Sequence, residues 1–368
     1  MHSDFHHIPV PTFSPPALEQ IRNHLAECVR RDFLPAVSAA IGTVDEVHTW
    51  SLGRQELDSP APLRDDALFL IASPTKPITA MAVMTLVESG ELSLVAPAAE
   101  YLPEFGKNGK HAITVAHLLT HTSGLPDMPP SNAQLRAAQA PLPAFLAEVC
   151  SLRPAFLPGH DVLYQSMGYL VLAAIVEKVT GRSLARVLEE RVFTPLALRD
   201  TTLGRAAQLD RVAEIRVAGM HSASDLLWNS PYWLGLGAPW GGVISSAADL
   251  ARLCQHLLAI PTGRRGVISR ASHAAMTANQ FAQMPFVPET HRRCQPWGLG
   301  WQLHWPAHPS GFGDLLSPAA YGHWGATGSL VWIDPARGVF AVILSTEPLE
   351  RSRRSLAQFS NLVCAAID

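Results

Sequence analysis

Apolar residues recur at Leu18, Ile21, Leu25, Cys28 and Val29, the spacing of one helix face, so a helix is predicted over residues 16–32. The stretches AVSAAIGTV and VHTWSLG follow, separated by Asp45 and Glu46, and predict a hairpin. An almost unbroken apolar pattern over residues 75–89 predicts a buried helix that stops at Gly90. Helical patterning dominates residues 110–260, apart from a proline-rich stretch at 125–160 that predicts loops. Residues 260–296 hold no clear period and read as irregular. Strand patterning returns in WGLGWQLHW (297–305), and in SLVWID and GVFAVILST, which flank the turn PARG. A closing helix is expected over residues 350–367.

Strands therefore sit at both ends of the chain and helices occupy the middle. The expected class is α+β. Residues 16–72 and 297–368 would form one discontinuous lobe, an antiparallel sheet flanked by the first and last helices. Residues 73–296 would form a mostly helical lobe with loops, and a cleft between the two is the natural place for a small-molecule site.

Composition narrows the function. Hydrophobic residues make up 48% of the 368 positions, enough for a large core, and the net charge is only −3. There is no run of basic residues, so a nucleic-acid partner is not expected. No apolar run reaches about 18 residues, so no membrane span is expected either. The five cysteines, Cys28, Cys150, Cys254, Cys294 and Cys364, are widely spaced and include no C-x-x-C, which argues against a disulfide framework or a zinc knuckle. The N-terminal MHSDFHHIPVPTF lacks the basic and apolar regions of a secretory signal, and a cytoplasmic location is expected.

Only four of the 28 basic residues are lysines, and one of them, Lys76, stands three residues after Ser73 in IASPTKP, where the buried helix begins. The plain reading of Ser73 is a helix N-cap followed by Pro74 at the first helical position. That reading leaves Lys76 unexplained, because a cation in the first turn faces the positive end of the helix dipole. Residues three apart share a helix face, so the amine should lie beside the hydroxyl. Burial and the dipole both favour the neutral amine, which can take a proton from serine, otherwise a weak nucleophile. S-x-x-K occurs about once by chance in a chain of this length, so other segments must support it.

They do. IASPTKP, LLTHTSGLP (118–126), VLYQSMGYLVLAAIVEKVTG (from Val162), GGVISSAADLARL (from Gly241) and YGHWGATGSLVWIDPARGVFAVILST (from Tyr321) together resemble the serine β-lactamase-like family. That family includes class C β-lactamases, D-alanyl-D-alanine carboxypeptidases and family VIII carboxylesterases, and the resemblance runs from about residue 16 to the end. It implies a β-lactamase-like fold and an acyl-enzyme mechanism without a cofactor or metal. It implies Ser73 as nucleophile, Lys76 as its helix partner and Tyr164 as the tyrosine of the family's Y-x-N motif, shuttling protons. His323-Trp324-Gly325 occupies the family's K-T-G strand position. The implied oxyanion hole is the backbone N–H of Ser73 and of Ala326, each donor worth ~3–4 kcal/mol in the transition state.

Two departures bear on the substrate. Ser166 stands where the family motif has asparagine; it can still cap the following helix but removes a substrate-contacting amide. Trp324 and His323 replace a threonine and a lysine. Neutral histidine, with an ordinary pKa of about 6.5, is a poor partner for a substrate carboxylate. Ser166, Trp324 and Gly325 are thus the expected substrate contacts, and His323 is expected to line the cleft as a fourth catalytic group. The favoured activity is a carboxylesterase acting on small neutral or apolar esters. An acyltransferase, β-lactamase or D-amino-acid peptidase of the same family, or a non-turnover acyl-binding sensor, are the alternatives. The partner is a small ester or amide, and the oligomeric state is open.

Other motifs have plainer readings. Ser246 and Asp249 have capping-box-like spacing. His117 and His121 stand four apart, but no H-E-x-x-H accompanies them and Thr-Ser-Gly breaks the helix, so no metal pair is expected. His2, His6 and His7 carry no pattern. Trp228, Trp233 and Trp240 suit either core or an apolar substrate wall. There is no G-x-S-x-G, so an α/β-hydrolase elbow is not indicated.

Overall fold

The computed structural model describes residues 11–204, 209–217, 227–304 and 312–367; His2, His6, His7 and Trp305 lie outside them. The first helix is α1 (Pro15–Arg30). The hairpin strands are β1 (Ala36–Gly42) and β2 (Val47–Gly53), paired antiparallel with Ala36 opposite Gly53 and Gly42 opposite Val47. A two-residue strand β3 (Phe69–Leu70) leads to the buried helix α2 (Thr75–Glu88). The middle of the chain holds α3 (Ala98–Tyr101), α4 (Val115–Leu119), α5 (Asn132–Ala137), α6 (Leu142–Ser151), α7 (Met167–Thr180) and α8 (Leu184–Leu188). After these come β4 (Thr202–Leu203), α9 (Pro231–Leu236), β5 (Val243–Ser245) and α10 (Ala247–Ala259). Helices α11 (Arg270–Thr277) and α12 (Glu289–Cys294) precede β6 (Gln302–Leu303). The chain closes with β7 (Tyr321–Gly325), β8 (Ser329–Asp334), β9 (Val339–Ser345) and α13 (Leu349–Ala365).

The main sheet has six antiparallel strands in the order β2-β1-β9-β8-β7-β6, so strands from both ends of the chain share it. Central strands β1 and β9 are buried along their whole length, because both faces are covered. Alternation sorts their side chains. Val37, Ala39, Ile41, Val339, Ala341 and Ile343 pack with Ile21 and Leu25 of α1 and with Leu356, Phe359 and Val363 of α13. Ala36, Ala40, Phe340, Val342 and Leu344 face the opposite way, into the core that holds Leu250, Leu253 and Leu257 of α10. A helix from the middle of the chain thus covers the sheet's second face.

Three local expectations need correction. The proline-rich stretch at 125–160 contains α5 and α6; Pro141 is the N-cap of α6 and Pro143 lies in its first turn, where a missing N–H costs little. Residues 260–296 contain α11, capped by the Ser269 hydroxyl accepting from Ser272 N, and α12. Among the described residues of the alternating WGLGWQLHW only Gln302–Leu303 is strand. Gly300 at φ +86° turns the chain, and Gly298 N donates to Trp301 O at 2.8 Å. A second sheet, β3-β5-β4, had no legible pattern; its strands are too short to alternate.

Candidate active site

Helix α2 is buried from Thr75 through Leu86, all round its circumference. Its entry is shaped by Ala72, which sits at φ +53°, a backbone region that costs a non-glycine residue about 1–3 kcal/mol. Ser73 does not cap the helix: Pro74 is the N-cap position, and no side chain caps it. Instead Lys76 Nζ donates to the Ser73 hydroxyl at 3.1 Å, to the Tyr164 hydroxyl at 2.8 Å and to Trp240 O at 3.3 Å. The segment carrying Trp240 is stitched to the same helix turn, with Thr79 donating to Pro239 O at 2.8 Å and Val243 N donating to the Thr75 hydroxyl at 3.0 Å.

Lys76 has no solvent exposure. Burial pulls its pKa down to about 7, against the opposing pull of the negative charge on Asp127. Tyr164 is pushed well above its ordinary value by burial and by the same carboxylate, with a hydrogen bond from Ser73 acting the other way. At neutral pH the lysine is therefore about half neutral and the tyrosine is a phenol, a base and an acid on either side of one hydroxyl.

Tyr164 stands on a loop anchored by the Thr-Ser-Gly turn. Gln165 N donates to His121 Nδ1 at 3.1 Å, Leu163 N donates to His121 O at 2.9 Å, and Ser123 donates to Gln165 Oε1 at 2.8 Å. His121, at φ +62°, lies beyond the end of α4, and its ring is 4.7 Å from that of Tyr164. His117 closes a capping box with Thr114 at the start of α4. The two histidines thus hold separate structural posts.

Strand β7 forms the other wall. Thr327 and Ser329 donate to Leu70 O and Ile71 O at 2.7 and 2.5 Å, clamping the β7–β8 turn onto the segment that leads to Ser73. Gly325 permits that approach, since a Cβ there would meet Ile71 O at 2.3 Å. Gly325 is not on the cavity wall; its part is packing. The cavity, about 330 Å³, is lined by Ser73, Tyr164, Ser166, Trp324 and Ala326 of the expected residues. Neither the Ser73 nor the Ala326 amide donates to another described residue.

His323 departs from expectation. Strand alternation puts Trp324 on the cavity and turns His323 into the core, where it has no exposure and does not reach the wall. Its Nδ1 donates to Trp324 O at 2.7 Å, and burial together with the Lys76 charge lowers its pKa to about 3. Trp324 stacks on Tyr164 with ring centroids 5.4 Å apart. Ser166 is the N-cap of α7 by position, but its hydroxyl does not cap; it donates to Asp127 Oδ1 at 2.6 Å. Ser246 accepts from Asp249 N at 3.2 Å as a cap, while the Asp249 carboxylate accepts from Asp200 N and Thr201.

Four residues that the sequence pattern does not single out also line the wall: Asp127, Met128, Asn132 and Arg136. Asp127 directly follows LLTHTSGLP, and nothing in its spacing marks it. Trp228, Trp233 and Trp240 are both buried and on the wall, so the two readings offered for them coincide. A larger groove of about 720 Å³ lies between α1 and α13, away from Ser73, and two of its four arginines, Arg216 and Arg351, are paired with Asp32 and Glu347. Among the described residues no helix is long and apolar enough to cross a membrane.

Known proteins resemble the chain along most of its length. The profile of the family described as Beta-lactamase matches residues 21–365. Penicillin-binding protein 4 of Amycolatopsis lactamdurans is 31% identical over 328 residues, covering 85% of this chain and 81% of that one. Esterase EstB of Burkholderia gladioli is 30% identical over 331 residues, covering 81% of this chain and 82% of that one. The crystal structure of a family VIII carboxylesterase superposes with a TM-score of 0.76 at 21% identity, over 96% of this chain and 99% of that one, a likeness of fold.

Proposed function

The chain belongs to the beta-lactamase family of serine hydrolases, and from that premise we propose that it is a carboxylesterase working through an acyl-enzyme on Ser73. Ser73 Oγ attacks the ester carbonyl carbon while its proton passes to neutral Lys76. The carbonyl oxygen becomes an oxyanion that accepts hydrogen bonds from the Ser73 and Ala326 amides. The C–O bond to the alcohol breaks, and the proton held by Lys76 reaches the departing oxygen through the Tyr164 hydroxyl. Water then attacks the acyl carbon, gives a proton to the same pair, and Ser73 is regenerated as the acid leaves.

One observation carries this reading: a fully buried amine within 3.1 Å of one hydroxyl and 2.8 Å of another. The tryptophan wall, with the Asp127 carboxylate in the same cavity, supports an ester without negative charge over an anionic β-lactam or peptide terminus. The same apolar wall keeps acyl transfer to an alcohol as the second reading, which product analysis with added alcohols would reveal. Five unpaired cysteines support a reducing, cytoplasmic setting.

The test is turnover of p-nitrophenyl butyrate by the wild-type protein, Ser73→Ala and Lys76→Ala. Both variants should lose activity by at least roughly a thousandfold, since members of such a unit fail together. Intact mass should show a fluorophosphonate adduct on the wild type and none on Ser73→Ala. Equal turnover by all three proteins would remove the proposal.

A further inference from the structure

Asp127 brings a carboxylate into the cavity that holds Ser73. It is fixed there twice over: its Oδ1 accepts from the Ser166 hydroxyl at 2.6 Å, and its backbone O accepts from Ser166 N at 3.2 Å. The residue is exposed, and no described cation forms an ion pair with it. The other charged residue on the wall, Arg136, is 5% exposed. Its guanidinium lies 4.0 Å from the centroid of the Trp233 ring, and its Nε donates to Asn132 Oδ1 at 2.9 Å. Trp228, Trp240 and Trp324 supply further aromatic surface to the same cavity. A held carboxylate beside several indole rings is the chemistry that recognises an alkylammonium group, through opposite charge and through the negative faces of the rings.

We propose that Asp127, held by Ser166, and the tryptophan wall select esters that carry an ammonium group on the part lying in this cavity, and turn away esters that carry a carboxylate there. The inference rests on the serine-hydrolase reading and names its substrate class. Arg136 is the opposing charge. Its guanidinium is engaged on the wall, whereas Asp127 Oδ2 has no partner among the described residues.

The experiment uses matched ester trios ending in trimethylammonium, its tert-butyl isostere and carboxylate. One trio carries the group on the acyl side and one on the alcohol side. Values of kcat/KM are compared within each protein for wild type and Asp127→Asn, which keeps an acceptor oxygen for Ser166. In at least one trio the wild type should favour the ammonium ester over its isostere by roughly three- to tenfold, the range of an exposed charge pair plus one cation–π contact. The carboxylate ester should be slowest, and Asp127→Asn should bring the ammonium preference to near unity. A wild-type ratio of one or below in both trios overturns the inference, as does a preference for carboxylate, which would mean that Arg136 governs. A preference untouched by Asp127→Asn overturns it too. Calorimetric binding of choline to the two proteins reads the same selection without turnover. Choline binding that depends on Asp127, with no ester cleaved, would sink the esterase reading alone.

Discussion

At the residue scale, Lys76 decides the pH behaviour. In the proposed mechanism its neutral form is the base, and its pKa is drawn down to about 7, so kcat/KM should climb as pH rises through about 7 and flatten above it. The titratable neighbours do not supply that limb. His121 lies well below its ordinary value and His323 at about 3, both mainly through burial, while Tyr164 is held well above its own. A profile flat from pH 5 to 9 would contradict the assignment. Stability should move in the same direction. An unfolded Lys76 keeps its proton up to its ordinary value of 10.5, whereas the folded one has lost it from about 7 upward. The unfolded state therefore binds more protons between those limits, and folding gains stability as pH rises across them. Lys76→Met, which removes a buried amine and keeps the volume, should melt higher than the wild type at pH 7 while losing turnover. A lower melting temperature would show that the three hydrogen bonds of Nζ outweigh its burial.

At the element scale, the site depends on how closely β7 approaches the turn before α2. A Cβ at Gly325 would lie 2.2 Å from Ser329 Oγ and 2.3 Å from Ile71 O, so Gly325→Ala must push the strand away. Overpacking of this kind costs about 1–3 kcal/mol. The same shift would move the Ala326 amide off the proposed oxyanion position, so kcat/KM should fall together with the melting temperature. A variant that melts lower but keeps its kcat/KM would detach Ala326 from the oxyanion hole. Elements whose own residues pattern them were legible: α1, the β1–β2 hairpin, α2, α7, β8, β9 and α13 all carry a clear period or clear stops. Helices α5 and α6 were hidden because proline at a helix start looks like proline in a loop. Strands β3, β4 and β5 were hidden because two or three residues cannot show alternation.

At the scale of the whole molecule, a six-stranded sheet joins the two ends of the chain, and one continuous core runs from its α10 face into the helices around α2. Ser73 and Tyr164 are 91 positions apart in the chain, and Ala326 stands further still, yet all three meet on one cavity wall. The sequence by itself determined the α+β arrangement, the Ser73–Lys76 pair and the family resemblance, because helix periodicity and local spacing are properties of neighbouring residues. Only the tertiary structure decided which side of β7 faces the cavity, and so that Trp324 lines it while His323 is buried and neutral. It also decided that the Ser166 hydroxyl would hold Asp127 instead of capping α7. Those outcomes depend on what packs against each element and on how much water is left around each charge. Neither quantity is written in the spacing of residues along a chain.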